Sequence, residues 1–138
     1  MRTILITGAS GGLAQEMVKL LPDDRLILLG RNKEKLAQLY GNHSHTELVE
    51  IDITDDQALE TLVADLYQRH TKIDVLINNS GYGIFEDFDQ ISDKDIHQMF
   101  EVNTFALMNL SRRLGARMKE RGKGHIINIV SMAGLIAT

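Results

Sequence analysis

Thr3-Ile4-Leu5-Ile6-Thr7-Gly8-Ala9-Ser10-Gly11-Gly12-Leu13-Ala14 is a short apolar run that breaks into a glycine turn and then enters an amphipathic stretch reaching Leu21. Three branched apolar residues in a row, without polar alternation, read as a strand buried on both faces. Gly8 permits a tight turn, and Gly12 lets backbone come close to a bound group. The helix that opens there presents free N–H groups and the positive end of its dipole to an anion. Ala14 falls where helix packs on strand, a position that accepts Gly or Ala. A glycine cluster by itself is weak evidence; its place at the first strand-to-helix junction is what strengthens it.

The same alternation recurs along the chain. Further apolar runs are Leu26 to Leu29, Leu48 to Ile51, Val75 to Ile77 and Ile126 to Val130. Between them lie helix signals: Asn32 as a cap for a helix ending at Gly41, and possible capping boxes at Thr54 with Gln57 and at Ser92 with Asp95. Strand and helix alternating five times indicate a doubly wound α/β parallel sheet of Rossmann type, with helices on both faces, built from βαβ units and ending after its fifth strand. The 138 residues, with no repeat or linker-like composition, read as a single domain over 1–138. In open sheets of this kind ligands bind beyond the carboxyl ends of the strands. Those ends carry Thr7-Gly8, Gly30-Arg31, Asp52, Asn78-Asn79 and Ser131. Any one of these reads as an ordinary polar loop; five in register point to a crevice.

Bulk numbers exclude several classes. A formal net charge of −4 argues against a nucleic-acid backbone as partner. There is no cysteine, hence no disulfide or thiolate chemistry. The N-terminal apolar run is too short for a signal-peptide core and no other run approaches membrane-spanning length, so no membrane partner and a cytoplasmic location are expected. His43-Ser44-His45 lacks a full ligand set and reads as a solvated loop, so no metal is expected.

Four stretches together resemble the short-chain dehydrogenase/reductase family. Thr7 to Ala14 resembles its TGxxxGxG, with Ala14 replacing the last glycine. Asn78-Asn79-Ser80-Gly81 resembles its NNAG, with Ser80 in place of alanine. Asn103, in Glu101-Val102-Asn103-Thr104, matches its helix asparagine, and Ile129 to Gly134 matches the segment bearing its catalytic serine, here Ser131. These motifs stand in family order from residue 3 to residue 134. The resemblance implies an NAD(P)-dependent oxidoreductase that moves a hydride between the nicotinamide and a carbonyl or alcohol substrate. It implies cofactor contacts from Thr7, Gly8, Ser10, Gly11, Gly12 and Leu13, from Asp52 and Ile53 around the adenine, and from Asn79, Ser80 and Gly81. It further implies a dimer or tetramer for the complete protein.

The choice of cofactor is read at the second strand's end. An acidic residue there accepts bonds from a free ribose 2′-hydroxyl, whereas arginine accommodates a 2′-phosphate. Gly30 is followed by Arg31, with no carboxylate at either position, so NADP(H) is expected over NAD(H), the latter remaining possible. Arg31 as a solvated surface residue, Asp52 as a cap for the next helix, and Asn78-Asn79 as an ordinary turn are the bland readings.

The segment from about Ser92 to Arg121 reads as one long helix ending at Gly122, with a stripe of Ile96, Phe100, Leu107, Leu110 and Leu114. Asn103 fills the gap in that stripe. Taken alone it reads as a buried asparagine bonded to backbone; by resemblance it holds a water of a proton relay. Ser131 alone reads as a turn former; by resemblance it hydrogen-bonds the substrate carbonyl.

The family's acid is a tyrosine in a YxxxK motif about a dozen residues beyond Ser131, whereas the sequence ends at Thr138. Four residues after Tyr40, Tyr67 and Tyr82 stand Ser44, Thr71 and Glu86, never lysine. By itself the chain is therefore expected to be inactive, and with the fifth strand at a bare sheet edge, marginal or self-associating. A non-catalytic redox-sensing or scaffold protein that binds the dinucleotide is the alternative, and the sequence after Thr138 discriminates the two. A methyltransferase-like nucleotide domain ranks behind both, having no use for Arg31 or for Asn78 to Gly81.

Overall fold

In the computed structural model, which describes residues 1–70, 72–81 and 88–129, five parallel strands form one sheet in the order β3-β2-β1-β4-β5. The strands are β1 (Thr3–Ile6), β2 (Arg25–Gly30), β3 (Thr46–Glu50), β4 (Val75–Asn78) and β5 (His125–Asn128). They alternate with α1 (Gly12–Lys19), α2 (Lys33–Tyr40), α3 (Asp56–Arg69) and a last helical stretch. The order runs outward from β1 to β3, then returns to place β4 on the other side of β1. That reversal opens a crevice beyond the ends of β1 and β4.

Side-chain alternation assigns each strand residue to a layer. Leu5, Ile27 and Leu76 stand side by side in the register and face α3 and the last helix, packing with Leu59, Leu66, Leu110 and Leu114. Ile4, Leu26 and Val75, one residue earlier, face α1 and α2 and pack with Val18, Leu36 and Tyr40. With both faces covered, the central strands need apolar residues at every position. This explains their unbroken Ile/Leu runs.

Two expected capping arrangements hold: Asn32 accepts from Lys35 N–H and Ser92 from Asp95 N–H. The third is corrected. Asp55, not Thr54, caps α3 by accepting from Ala58 N–H, and Thr54 instead donates to Asp52. The outer strands also shift by two residues or fewer at their starts, β3 beginning at Thr46 and β5 at His125.

The long helix runs from the Ser92 cap to Gly122, but it is not uniform. It comprises α4 (Asp93–Phe100), a π-helical turn (Glu101–Phe105) and α5 (Ala106–Arg121). Gly122, at φ +71°, closes α5 in a left-handed cap with Gly122 N–H bonded to Lys119 and Lys123 N–H to Met118. A wide turn adds a residue to the helical repeat and rotates everything beyond it. The expected single stripe is therefore broken. Ile96 and Phe100 are exposed, and the buried register is Ala106, Leu110, Leu114 and Met118.

Candidate functional site

The crevice at the sheet's reversal point is a cavity of about 700 Å³. Its walls come from the ends of β1, β2, β3 and β4 and from Val102 in the π turn. Among the residues expected there, Gly8, Ser10, Gly11, Gly12, Leu13, Arg31, Asp52, Ile53, Asn79, Ser80 and Gly81 all border it. Ser131 lies outside the described residues.

Thr7 is differently placed. It is buried beneath the floor, where its hydroxyl oxygen accepts from Asn79 N–H at 2.9 Å and Ser80 N–H at 3.0 Å. Asn79 returns a bond, its side-chain amide donating to the Gly8 carbonyl at 3.2 Å. The loops after β1 and β4 are thus stapled together at the seam of the crevice. Gly8 is confined by that seam. Its φ is +61°, and a Cβ there would stand 3.0 Å from the Asn79 carbonyl oxygen and the Ser80 Cα. Only glycine meets both conditions.

Gly12 answers a different need. A Cβ at Gly12 would meet nothing within 4 Å, so the backbone there opens onto space. Gly11, the residue before α1, has no side chain to cap it, unlike Asn32, Asp55 and Ser92 before α2, α3 and α4. Among the described residues no side chain caps the first N–H groups of α1, which open beside the crevice. Uncapped amides at the positive end of a helix dipole suit an anionic group.

The far end is cationic. Arg31 and Lys35 both border the cavity with exposed side chains. Lys35 was not singled out by sequence; its position four residues after Arg31, in the first turn of α2, was the available signal. Facing them is Asp52. Thr54 donates to its carboxylate from both hydroxyl (2.7 Å) and backbone N–H (3.0 Å). Those bonds hold the Asp52 carboxyl below its ordinary range; partial burial works against them, and nearby Arg31 assists. Asp52 is therefore an anion at neutral pH. The alternative reading of Asp52 as the α3 cap is replaced by this turn.

Asn103 does not border the cavity but stands just behind it. A Cβ added at Gly81 would lie 2.9 Å from the Asn103 side-chain oxygen, so Gly81 is small because Asn103 occupies that space. Asn78, beneath, donates to Ser111 Oγ at 3.0 Å and Asn128 Oδ1 at 2.9 Å, tying β4 to α5 and β5. Among the described residues no cluster of His, Cys, Asp and Glu could hold a metal ion, and no helix is long and apolar enough to cross a membrane.

The short chain dehydrogenase family model matches residues 2–138. A ketoacyl reductase of Nostoc is 34% identical over 139 residues, covering 96% of this chain and 48% of the relative. An NADP-dependent 3-hydroxy acid dehydrogenase of Salmonella typhi is 32% identical over 135 residues, covering 95% of this chain and 54% of the relative. Among solved structures, the closed form of a serine dehydrogenase complexed with NADP⁺ superposes with a TM-score of 0.91 at 29% identity, over 99% of this chain and 56% of that one. The chain thus spans about half the length of the curated relatives it matches. With the family model matched over nearly every residue and the Rossmann-type sheet in place, the chain belongs to the short-chain dehydrogenase family.

Proposed function

We propose that this chain is the dinucleotide-binding part of an NADP(H)-dependent short-chain oxidoreductase acting on a carbonyl or alcohol substrate. The observation that carries the reading is one crevice joining the uncapped start of α1 at one end to Arg31 and Lys35 at the other. A dinucleotide presents two kinds of anionic group to such a crevice: a pyrophosphate in its middle and, in the phosphorylated form, a second phosphate on the adenosine ribose. Backbone N–H groups of Gly12 and Leu13 receive the first, and Arg31 and Lys35 the second. Asp52 accepts from the adenine amino group, with Ile53 supporting the ring. Asn79, Ser80 and Gly81 line the channel toward the nicotinamide ribose.

When bound, the cofactor supplies or takes up hydride. The chain's own contribution is to hold it in one orientation. Ser131 would donate to the substrate carbonyl and Asn103 would hold a water that relays protons. The tyrosine acid that the family reading calls for is none of Tyr40, Tyr67 or Tyr82.

The test titrates NADPH and NADH against wild type and Arg31→Ala. Wild type should bind NADPH more tightly, and the variant should lose roughly 10- to 100-fold in NADPH affinity, the scale of one or more charge-assisted bonds, with little loss for NADH. A variant that loses no more affinity for NADPH than for NADH ends the NADP(H) assignment. Folded wild type that binds neither ends the whole reading.

A further inference from the structure

Tyr40 closes α2 on its buried face, at 3% exposure, and is not among the residues that line the crevice. Its hydroxyl donates to the carbonyl oxygen of Ala9 at 2.5 Å, across 31 residues of sequence. Burial raises the phenol above its ordinary value of 10, so it remains a protonated donor at neutral pH. Ala9 is itself fully buried, and its N–H donates to the Leu29 carbonyl at 3.0 Å. Both polar groups of this residue are therefore held by the β2–α2 side of the fold. Asn79 holds the preceding carbonyl, that of Gly8, from the β4 side. The Ala9 carbonyl belongs to the peptide joining Ala9 to Ser10. Its orientation sets the direction in which the chain leaves for Gly11, Gly12 and the first turn of α1.

We propose that Tyr40 is a positioning residue for the glycine turn: by fixing the Ala9–Ser10 peptide from below, it presets the N–H groups of Gly12 and Leu13 for the pyrophosphate without touching cofactor or substrate. The inference rests on the dinucleotide reading above. A loop held in its bound shape before the ligand arrives loses less freedom on binding, so affinity is gained without a new contact. A bond serving stability alone would alter the melting temperature and leave the affinity of the folded protein unchanged.

The experiment compares wild type with Tyr40→Phe, which keeps the ring and removes the donor. Two probes are titrated: NADPH, which spans the turn, and 2′-AMP, which carries the adenosine and its 2′-phosphate but no 5′-phosphate. Tyr40→Phe should bind NADPH about three- to tenfold more weakly, the scale of one hydrogen bond, while 2′-AMP affinity stays within about twofold. Leu66→Ala, a cavity in the opposite core layer, should lower the melting temperature and leave NADPH affinity unchanged. The inference is overturned if Tyr40→Phe binds NADPH like wild type, if both probes weaken equally, or if Leu66→Ala weakens NADPH as much. Should Y40F be unfolded in plain buffer, the titrations are run in trimethylamine N-oxide, which favours the compact state, and the same outcomes decide. Wild type that binds neither probe overturns the dinucleotide reading itself, whereas wild type that binds both leaves that reading standing whatever Y40F does.

Discussion

Gly8 combines a left-handed φ with backbone packed 3.0 Å from where a Cβ would be. Left-handed backbone costs a non-glycine residue roughly 1–2 kcal/mol, and neither the Asn79 carbonyl nor the Ser80 Cα can swing away as a side-chain end would. Gly8→Ala should therefore destabilise the fold by about 2 kcal/mol or more, read from the urea midpoint, and should weaken dinucleotide binding. A Gly8→Ala midpoint equal to wild type would mean that the seam yields freely. Gly12→Ala is the contrasting case. Space is open around its Cβ position, so stability should change little while NADPH affinity falls, because the added methyl occupies room proposed for the pyrophosphate. At the cationic end, Lys35→Ala should cost NADPH affinity about threefold or more, a modest charge-assisted contribution, with NADH indifferent in the same titration. The places of Gly8 and Arg31 at the crevice were legible because each is a residue type at the end of a strand. Lys35 was not, since a lysine in the first turn of a helix is ordinary until the fold shows which cavity it borders.

The helix from Ser92 to Gly122 shows where element-level reading succeeds and where it stops. Its cap and its left-handed terminus were both legible, since each depends on one residue and its immediate neighbours. Its buried face was not. The π turn over Glu101 to Phe105 inserts a residue into the repeat, and periodicity counted through it assigns Ile96 and Phe100 to a stripe they do not share with Leu110 and Leu114. The consequence is measurable. Leu114→Ala, at a fully buried position, should destabilise by about 2–5 kcal/mol. Phe100→Ser, at 53% exposure, should fall within about 0.5 kcal/mol of wild type, the range of ordinary surface changes. Comparable losses at both sites in chemical denaturation would restore the single stripe and count against the wide turn.

Across the molecule, stability should depend on pH through His70 at the foot of the sheet. Its Nε2 lies 3.3 Å from Glu47 Oε2, while its buried Nδ1 has no partner among the described residues. Burial lowers the ring's pKa below 6.5; Arg69 and Arg25 add to this and Asp65 opposes it. The unfolded chain then binds the proton more readily than the folded one, so stability rises with pH through the window just below 6.5 and is lost as pH falls through it. Urea midpoints at pH 7.5 and 5.5 should show this loss in wild type and a smaller one in His70→Gln. Equal losses in the two proteins would remove His70 from the account. At the opposite edge, β5 is exposed along its length, with Ile126 at 38% and Ile127 at 45%, and Ile129 just after it is 40% exposed. An apolar strand at the edge of the sheet among the described residues favours association, so these 138 residues alone should show concentration-dependent elution in size-exclusion chromatography. A monomer at every concentration would contradict that.

The alternation of strand and helix, the glycine turn and the placing of a crevice at the strand ends were legible in the sequence alone, because each follows from contiguous residues: an apolar run, a glycine at a strand-to-helix junction, a residue type at a strand's end. What tertiary structure decided were the relations between distant segments. These are Thr7 turning downward to bind the Asn79 and Ser80 amides, Asp52 being fixed by Thr54 beside Arg31, Asn103 standing behind Gly81, and Tyr40 reaching the Ala9 carbonyl. Each depends on where a side chain ends after two elements have packed, and that is set by burial and by the need to satisfy buried polar groups, neither of which leaves a period in the sequence.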